Sequence, residues 1–138
     1  AILSVTFLVM HPDRYASGME TLLKLASSTL DKEIKEIIPE WSIVYLVVSI
    51  TVNQATSFHR DLSCQVHWLD MLATIGGDPD LHIELDNLGV RLAYSLETIL
   101  SLSGKVLHHR VPASVWDQFC LVYHMRDNVQ EGVRVHKC

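Results

Sequence analysis

The sequence predicts an α+β protein built on a jelly-roll-like (cupin-like) double-stranded β-helix with an N-terminal helical cover. Three observations support this fold class. Short apolar segments recur at regular spacing after residue 63, turn residues separate them, and amphipathic helical segments precede them. Short, evenly spaced strands are typical of sandwiches and barrels. We expect one domain of 138 residues, with a strand and covering helices over 1–40 and the β core over 41–138.

The first forty residues are expected to supply one strand and two helices. Within Ile2 to Met10, valine and phenylalanine alternate with serine, threonine and leucine, which favours a buried strand. Ser17 and Glu20 have the spacing of a capping box, and the apolar positions around them follow a helical period. Asp31 to Ile38 is predicted to form a second, short helix that Pro39 stops.

The strongest strand pattern lies at Trp41 to Val52, where β-branched residues are nearly continuous. So apolar a run is typical of a strand that is covered on both faces. Only strands are expected after it, and the tail beyond Asn128 is polar. The strand candidates are bounded by turn residues and cover 64–75, 81–85, 90–94, 98–102, 105–111 and 119–125.

The charge and the cysteine content of the chain indicate which classes of protein it resembles least. The formal net charge is −5 and the pI about 5.8, whereas a protein held on nucleic acid mainly by phosphate contacts is usually basic. Cys64, Cys120 and Cys138 are odd in number and widely spaced, which argues against a disulfide framework or a zinc finger. We therefore expect a reducing, intracellular compartment, nucleus or cytoplasm. The apolar first ten residues are too short to span a bilayer and lack a basic start.

The residues that suggest chemistry lie at Ser57 to Asp61. His59 and Asp61 are two positions apart, so both side chains point to one side of a strand or of its exit. Two imidazoles and one carboxylate are the ligands of a facial iron(II) site with open positions for a co-substrate and oxygen. The second imidazole would come from His108 or His109, far along the chain. Alternatively, His59 lies at the surface and Asp61 caps a turn.

Several longer stretches resemble a known family when they are taken together. They are 57–70, 85–94, 103–109 and 120–129, and 10–12 and 41–53 also fit. They resemble the fungal TET/JBP-like 2-oxoglutarate and iron(II)-dependent dioxygenases found with mushroom transposable elements. The resemblance covers nearly the whole chain, and its motifs are specific only in combination.

This resemblance implies a dioxygenase that oxidises the methyl group of 5-methylcytosine in DNA. It implies that His59, Asp61 and His109 bind Fe(II), with His59 and Asp61 at the catalytic centre, and that 2-oxoglutarate is the co-substrate. His109 is preferred to His108 because the family places this ligand directly before a two-residue step that ends in valine, here Arg110 and Val111.

One position departs from the family pattern. The family carries an arginine at the start of the last strand, where it grips the far carboxylate of 2-oxoglutarate, and here that position is Gln118. Arginine forms a bidentate charged clamp, whereas glutamine forms only neutral hydrogen bonds, so the expected binding is weaker. Arg110 and Arg126 are the candidate substitutes, and Asn53 is a candidate co-substrate contact.

Trp68 and Asp70 are candidate contacts for a flipped base, by stacking and by hydrogen bonding. The alternative buries Trp68 and turns Asp70 outward. Cys64 is expected to be a small buried hydrophobe. Two other functions stay open: a non-catalytic β-barrel binding protein that has lost the arginine, and a metal-dependent nuclease or hydrolase with zinc on the same ligands. A dimer also stays open.

Overall fold

The computed structural model describes residues 2–41 and 43–135, so Cys138 lies outside the described residues. Within them the protein is α+β, with four α-helices and two antiparallel sheets, which confirms the predicted class. The chain forms two compact units. One contains the residues up to Leu46 together with those from Met125 onward, and the other is Val47–His124.

The segment predicted as the first strand is a helix, α1 (Ile2–Met10). Nearly all of its residues are apolar, so the pattern could not separate a period of two from a period of 3.6. Ser4 and Phe7 are three positions apart and are its buried residues, as on one face of a helix. The Phe7 ring packs against Tyr45 with the ring centroids 5.0 Å apart. The strand prediction was therefore wrong.

The second helix, α2 (Pro12–Ser28), begins well before the predicted capping box. Pro12 opens it, because the first turn needs no N–H donor there and the fixed φ of proline suits a helix. Ser17 is buried inside the helix, and its carbonyl accepts a hydrogen bond from the Thr21 hydroxyl at 2.8 Å. Ser17 is not an N-cap, so the prediction of a capping box was wrong.

The third helix, α3 (Lys32–Glu40), confirms the second predicted helix. Asp31 caps it, because the carboxylate accepts hydrogen bonds from two backbone N–H groups of the first turn. The helix ends one residue after Pro39. A fourth helix, α4 (Asp127–Gly132), falls in the polar tail, for which the sequence predicted no element.

The second unit consists of two antiparallel sheets. Its strands are β1 (Val47–Val52), β2 (Asp70–Gly76), β3 (His82–Leu85), β4 (Val90–Ala93), β5 (Ile99–Leu102), β6 (His109–Arg110) and β7 (Gln118–His124). The four-stranded sheet has the order β1-β7-β2-β5, and the three-stranded sheet has the order β4-β3-β6. An isolated antiparallel bridge joins His59 to His109, the first residue of β6.

The strand predictions differ in how well they match these strands. Those for 81–85, 90–94, 98–102 and 119–125 are confirmed, whereas 64–75 forms a strand only from Asp70 and 105–111 shrinks to β6. The run from Trp41 to Val52 becomes a strand only at Val47. Because β1 lies at a sheet edge and Ile50 and Val52 are exposed, the expectation of two covered faces was wrong.

Buried side chains from both sheets form one apolar core in the second unit, as in a small β-sandwich. The core residues are Leu81, Ile83, Leu85, Tyr94, Leu102, Val111 and Cys120. They include Ile83 and Leu85, the alternate, inward positions of β3, while His82 of the same strand is exposed. Among the described residues, the structure contains no helix with the length and apolar character needed to cross a membrane.

Candidate metal centre

The structure brings His59, Asp61 and His109 together. Their possible ligand atoms all lie within 4.8 Å of one another. His59 Nε2 is 3.6 Å from Asp61 Oδ1, and His109 Nε2 is 3.9 Å from Asp61 Oδ2. The two imidazole rings are 4.3 Å apart between centroids. His109 is buried, and His59 and Asp61 are partly exposed. The three side chains therefore converge on one point that is open on one side.

Backbone hydrogen bonds fix the positions of all three residues. The His59 N–H donates to the His109 carbonyl and the His109 N–H donates to the His59 carbonyl, each at 3.0 Å. The Asp61 N–H donates to the carbonyl of Gly104 at 2.9 Å. A reciprocal backbone pair sets two residues directly opposite each other on neighbouring strands. The distant His109 is thus held beside His59 by pairing of the backbone.

Each imidazole has one ring nitrogen committed to a backbone carbonyl. His59 Nδ1 lies 2.8 Å from the Ser57 oxygen, and His109 Nδ1 lies 2.9 Å from the Leu107 oxygen. A carbonyl oxygen can only accept, so both Nδ1 atoms carry the hydrogen and donate it. The Nε2 atoms then present lone pairs toward Asp61. Fixing the tautomer in this way is how proteins orient histidine ligands to metals.

Gly104 has no side chain, and the Asp61 carboxylate lies where a Cβ atom at that position would be. A Cβ atom added at Gly104 would lie 2.1 Å from Asp61 Oδ2 and 2.9 Å from its Cγ. The φ angle of Gly104 is not positive, so the backbone itself would accept other residues. Only the close approach of the carboxylate requires glycine here.

His108 points away from this cluster. Its Nδ1 lies 3.1 Å from Asp86 Oδ2, and its ring lies 5.2 Å from the Phe58 ring. Neighbouring residues of an extended chain face opposite sides, so only one of two adjacent histidines can reach the site. The structure brings His109, and not His108, to His59 and Asp61.

A cavity of about 220 Å³ adjoins the three residues within the second unit. Its polar lining contains the cluster itself and polar side chains from the four-stranded sheet, and its apolar lining comes from both sheets. The lining residues are Ser49, Thr51, Asn53, Gln54, Thr56, His59, Asp61, Asp70, Leu72, Ile83, Tyr94, Leu102, His109, Val111, Gln118, Cys120, Val122 and His124. No lysine or arginine is among these described lining residues.

Gln118 and Asn53 both line the cavity and contact each other. The side-chain nitrogen Nε2 of Gln118 donates to the Tyr94 carbonyl at 2.9 Å, and Gln118 is buried. The backbone N–H of Gln118 donates to Asn53 Oδ1 at 2.7 Å, while Asn53 Nδ2 donates to Asp117 Oδ1 at 2.8 Å. The two amides predicted to meet a co-substrate therefore already hold internal hydrogen bonds.

Arg110, one of the two candidate substitutes for the missing arginine, does not line the cavity. Arg110 Nε donates to Glu84 Oε2 at 2.7 Å, and its guanidinium lies over the Phe58 ring at 4.7 Å. The ion pair with Glu84 raises the pKa of Arg110 further above its ordinary value. Arg126 precedes α4 and belongs to the first unit. Arg110 is thus engaged elsewhere in the second unit.

Replacing Glu84 by glutamine should make folding stability less sensitive to acid. The hydrogen bond from Arg110, and the charges of Arg110 and Arg91, hold the pKa of the Glu84 carboxyl below its ordinary value. A lowered folded-state pKa contributes stability above the unfolded-state pKa, and that contribution is lost as the pH falls through the folded-state pKa. Urea midpoints at about pH 7 and about pH 3 should differ more in the wild type than in Glu84→Gln. An equal difference in both, with exposed Glu36→Gln as control, would contradict this role.

The two candidate base contacts lie in different surroundings. Trp68 is buried in the core and does not line the cavity, which leaves no exposed ring face for a base. Asp70 is also buried, opens β2 and does line the cavity, so the alternative in which it turns outward was wrong. Cys64 is buried, as expected, and its thiol donates to Asp70 Oδ2 at 3.4 Å.

A tyrosine–cysteine pair forms another part of the cavity wall. Tyr94 Oη lies 2.8 Å from Cys120 Sγ. Burial, together with the neighbouring Cys120, raises the pKa of Tyr94 far above its ordinary value, and burial also raises the pKa of the Cys120 thiol. Both groups are therefore neutral near pH 7. Sequence analysis missed this pair, whose two members lie on β7 and just after β4.

No protein-family model matches this chain, and no curated protein matches it.

Proposed function

We propose that the second unit is a double-stranded β-helix that binds iron(II) through His59, Asp61 and His109 and acts as a 2-oxoglutarate-dependent oxygenase. The observation that carries the proposal is the convergence of two oriented imidazoles and one carboxylate beside a cavity. Two histidines and one carboxylate form the facial set of non-haem iron oxygenases. Iron is proposed from the chemistry of these donors.

The order in which the chain visits the two sheets supports the double-stranded β-helix. β1 lies in the four-stranded sheet, and the His59 segment then pairs with β6 of the other sheet. β2 returns to the first sheet, β3 and β4 lie in the second, and β5, β6 and β7 alternate again. When the His59 segment is counted as a strand, the unit has eight strands. The order in which they visit the two sheets is the same when it is read from either end. Such paired alternation is expected of an eight-stranded jelly roll.

Bound iron would supply oxygen activation, while the residues of the chain orient it and shield it. The carbonyls of Ser57 and Leu107 fix the imidazole tautomers, so both Nε2 atoms can bind without losing a proton. Asp61 supplies the negative charge. The apolar side of the cavity limits the access of water to the site, and it includes Leu72 and Ile83.

The co-substrate would be held without a charged clamp. The described cavity lining contains no lysine or arginine, so the far carboxylate of 2-oxoglutarate would have to be held by neutral donors. Neutral hydrogen bonds to a carboxylate are weaker than a bidentate arginine pair. We therefore expect weaker 2-oxoglutarate binding than an arginine would give. The same observation favours a second candidate, a non-catalytic metal-binding protein that has lost oxygenase activity.

The DNA substrate rests on the resemblance alone. Oxidation of 5-methylcytosine would require the base to leave the stack and reach the site. The burial of Trp68 removes one of the two side chains proposed to meet such a base, and Asp70 is the one that lines the cavity. The intracellular location stays a prediction of the sequence, and the sequence leaves a dimer open.

The test measures 2-oxoglutarate binding to the iron-loaded protein in the absence of oxygen. We expect a metal-to-ligand charge-transfer absorption band that appears on addition of 2-oxoglutarate. His109→Gln should abolish the band, and His108→Gln should retain it, because only His109 faces Asp61. The two variants change adjacent residues of the same type.

Three outcomes separate the candidates. A band in the wild type and in His108→Gln supports the oxygenase. Iron binding that depends on His109, with no band, would overturn the oxygenase and favour the binding protein. Hydrolysis of a nucleic acid by the zinc-loaded protein without oxygen would instead favour the nuclease or hydrolase.

A further inference from the structure

A second group of potential metal ligands lies in the second unit and is formed by Cys64, Asp70 and His124. Their ligand atoms lie within 4.8 Å of one another. Cys64 comes from the loop after the His59 segment, Asp70 begins β2, and His124 ends β7. Three separate chain segments therefore deliver a thiol, a carboxylate and an imidazole to one place, and none of them belongs to the first cluster.

The spacing of these atoms matches ligands around a single ion. Cys64 Sγ is 3.4 Å from Asp70 Oδ2, and His124 Nδ1 is 3.4 Å from Asp70 Oδ1. Nitrogen and oxygen ligands about 2.1 Å from a tetrahedral zinc ion lie about 3.4 Å from each other. The carboxylate lies between the other two groups, as a shared neighbour on the ion would.

The hydrogen bonding of the group also calls for a ligand. Within the part of the chain that the structure describes, Asp70 Oδ1 and His124 Nδ1 are buried and form no hydrogen bond. The Asp70 side chain is only 3% exposed. Burial of a carboxylate is costly unless a charge or a full set of hydrogen bonds compensates it. A cation between these atoms would satisfy both of them.

We propose that Cys64, Asp70 and His124 form a second metal site and that it takes zinc. One sulfur, one nitrogen and one oxygen ligand suit Zn²⁺, which is borderline in softness and accepts all three. Thiolate ligands favour zinc over the harder cations magnesium and calcium, which prefer oxygen ligands. Three protein ligands leave a fourth position for water or for a substrate group.

The second site is connected to the first through the backbone and the cavity. The Cys64 N–H donates to the Asp61 carbonyl at 3.0 Å, so a short loop carries one ligand of each site. Asp70 and His124 line the same cavity as His59 and His109. A group bound at the fourth position of the zinc ion could therefore also face this cavity. The inference does not depend on the iron proposal, because it rests on different residues.

The test replaces zinc by cobalt(II), whose thiolate complexes absorb in the near ultraviolet. All proteins carry Cys138→Ser, so that Cys64 and Cys120 are the remaining thiols. We expect a thiolate-to-cobalt band in this background protein and in Cys120→Ser, and none in Cys64→Ser. Cys120 is the matched control, because it is also a buried thiol of the second unit.

Further variants distinguish this site from the first one and from a folding defect. His59→Gln should keep the band, because His59 belongs to the other cluster. Asp70→Asn changes the charge and little of the shape, and it should weaken zinc binding at least tenfold in a competition with a chromophoric chelator. Absence of the band in the background protein would overturn the proposal, as would its persistence in Cys64→Ser. Zinc affinity unchanged in Asp70→Asn would also overturn it.

Discussion

Replacing Gly104 by alanine is expected to weaken metal binding at His59, Asp61 and His109 by about tenfold to a hundredfold. The added methyl group would overlap Asp61 Oδ2, which lies 2.1 Å from the Cβ position. Since Asp61 is also tied by its N–H to the Gly104 carbonyl, the backbone cannot move away without losing that bond. The carboxylate must rotate out of the space between the imidazoles.

Gly132→Ala is the matched control for this experiment, since a Cβ there would meet nothing within 4 Å. Both variants can be titrated with iron(II) or cobalt(II) against a chromophoric chelator. Overpacking typically costs about 1–3 kcal/mol of stability, so the fold of Gly104→Ala is checked by thermal unfolding. A folded Gly104→Ala protein with wild-type metal affinity would show that Asp61 is not a ligand.

The parts of the fold that the sequence predicted are those in which a local pattern decides the structure. A strand was predicted over 81–85, and β3 (His82–Leu85) forms there with Ile83 and Leu85 buried and His82 exposed. The helix predicted over Asp31 to Ile38 forms as α3, and Asp31 is its N-cap, which acts within its own turn. Residues 2–10 were misassigned as a strand. An almost wholly apolar segment fits both the two-residue period of a strand and the 3.6-residue period of a helix, so tertiary packing decides which of them forms.

The candidate site was predictable to the extent that its residues are close in sequence. The spacing of His59 and Asp61 placed them on one side of the chain, and the structure brings them together. His109 came from the family resemblance, because no local signal selects a partner from a distant strand. Gly104 and the group at Cys64, Asp70 and His124 depend on approaches between separate segments, which a single sequence does not reveal.

Replacing Ile83 by alanine is expected to destabilise the protein by about 2–5 kcal/mol, the usual range for a buried isoleucine. Ile83 is 0% exposed and belongs to the core that both sheets share. Deleting most of its side chain leaves a cavity that the surrounding strands can fill only partly. Urea unfolding followed by circular dichroism measures the loss.

Ile75→Ala is the matched control, because Ile75 is also in a strand of this unit but is 56% exposed. Ile75→Ala should lower the free energy of unfolding by less than about 1 kcal/mol, which is the span of strand propensities. Ile83→Ala should also weaken metal binding, since Leu85 of the same strand pairs with His109 and holds it at the site. Equal destabilisation by the two variants would contradict a core between the sheets. Wild-type metal affinity in a destabilised Ile83→Ala protein would show that His109 is held independently of β3.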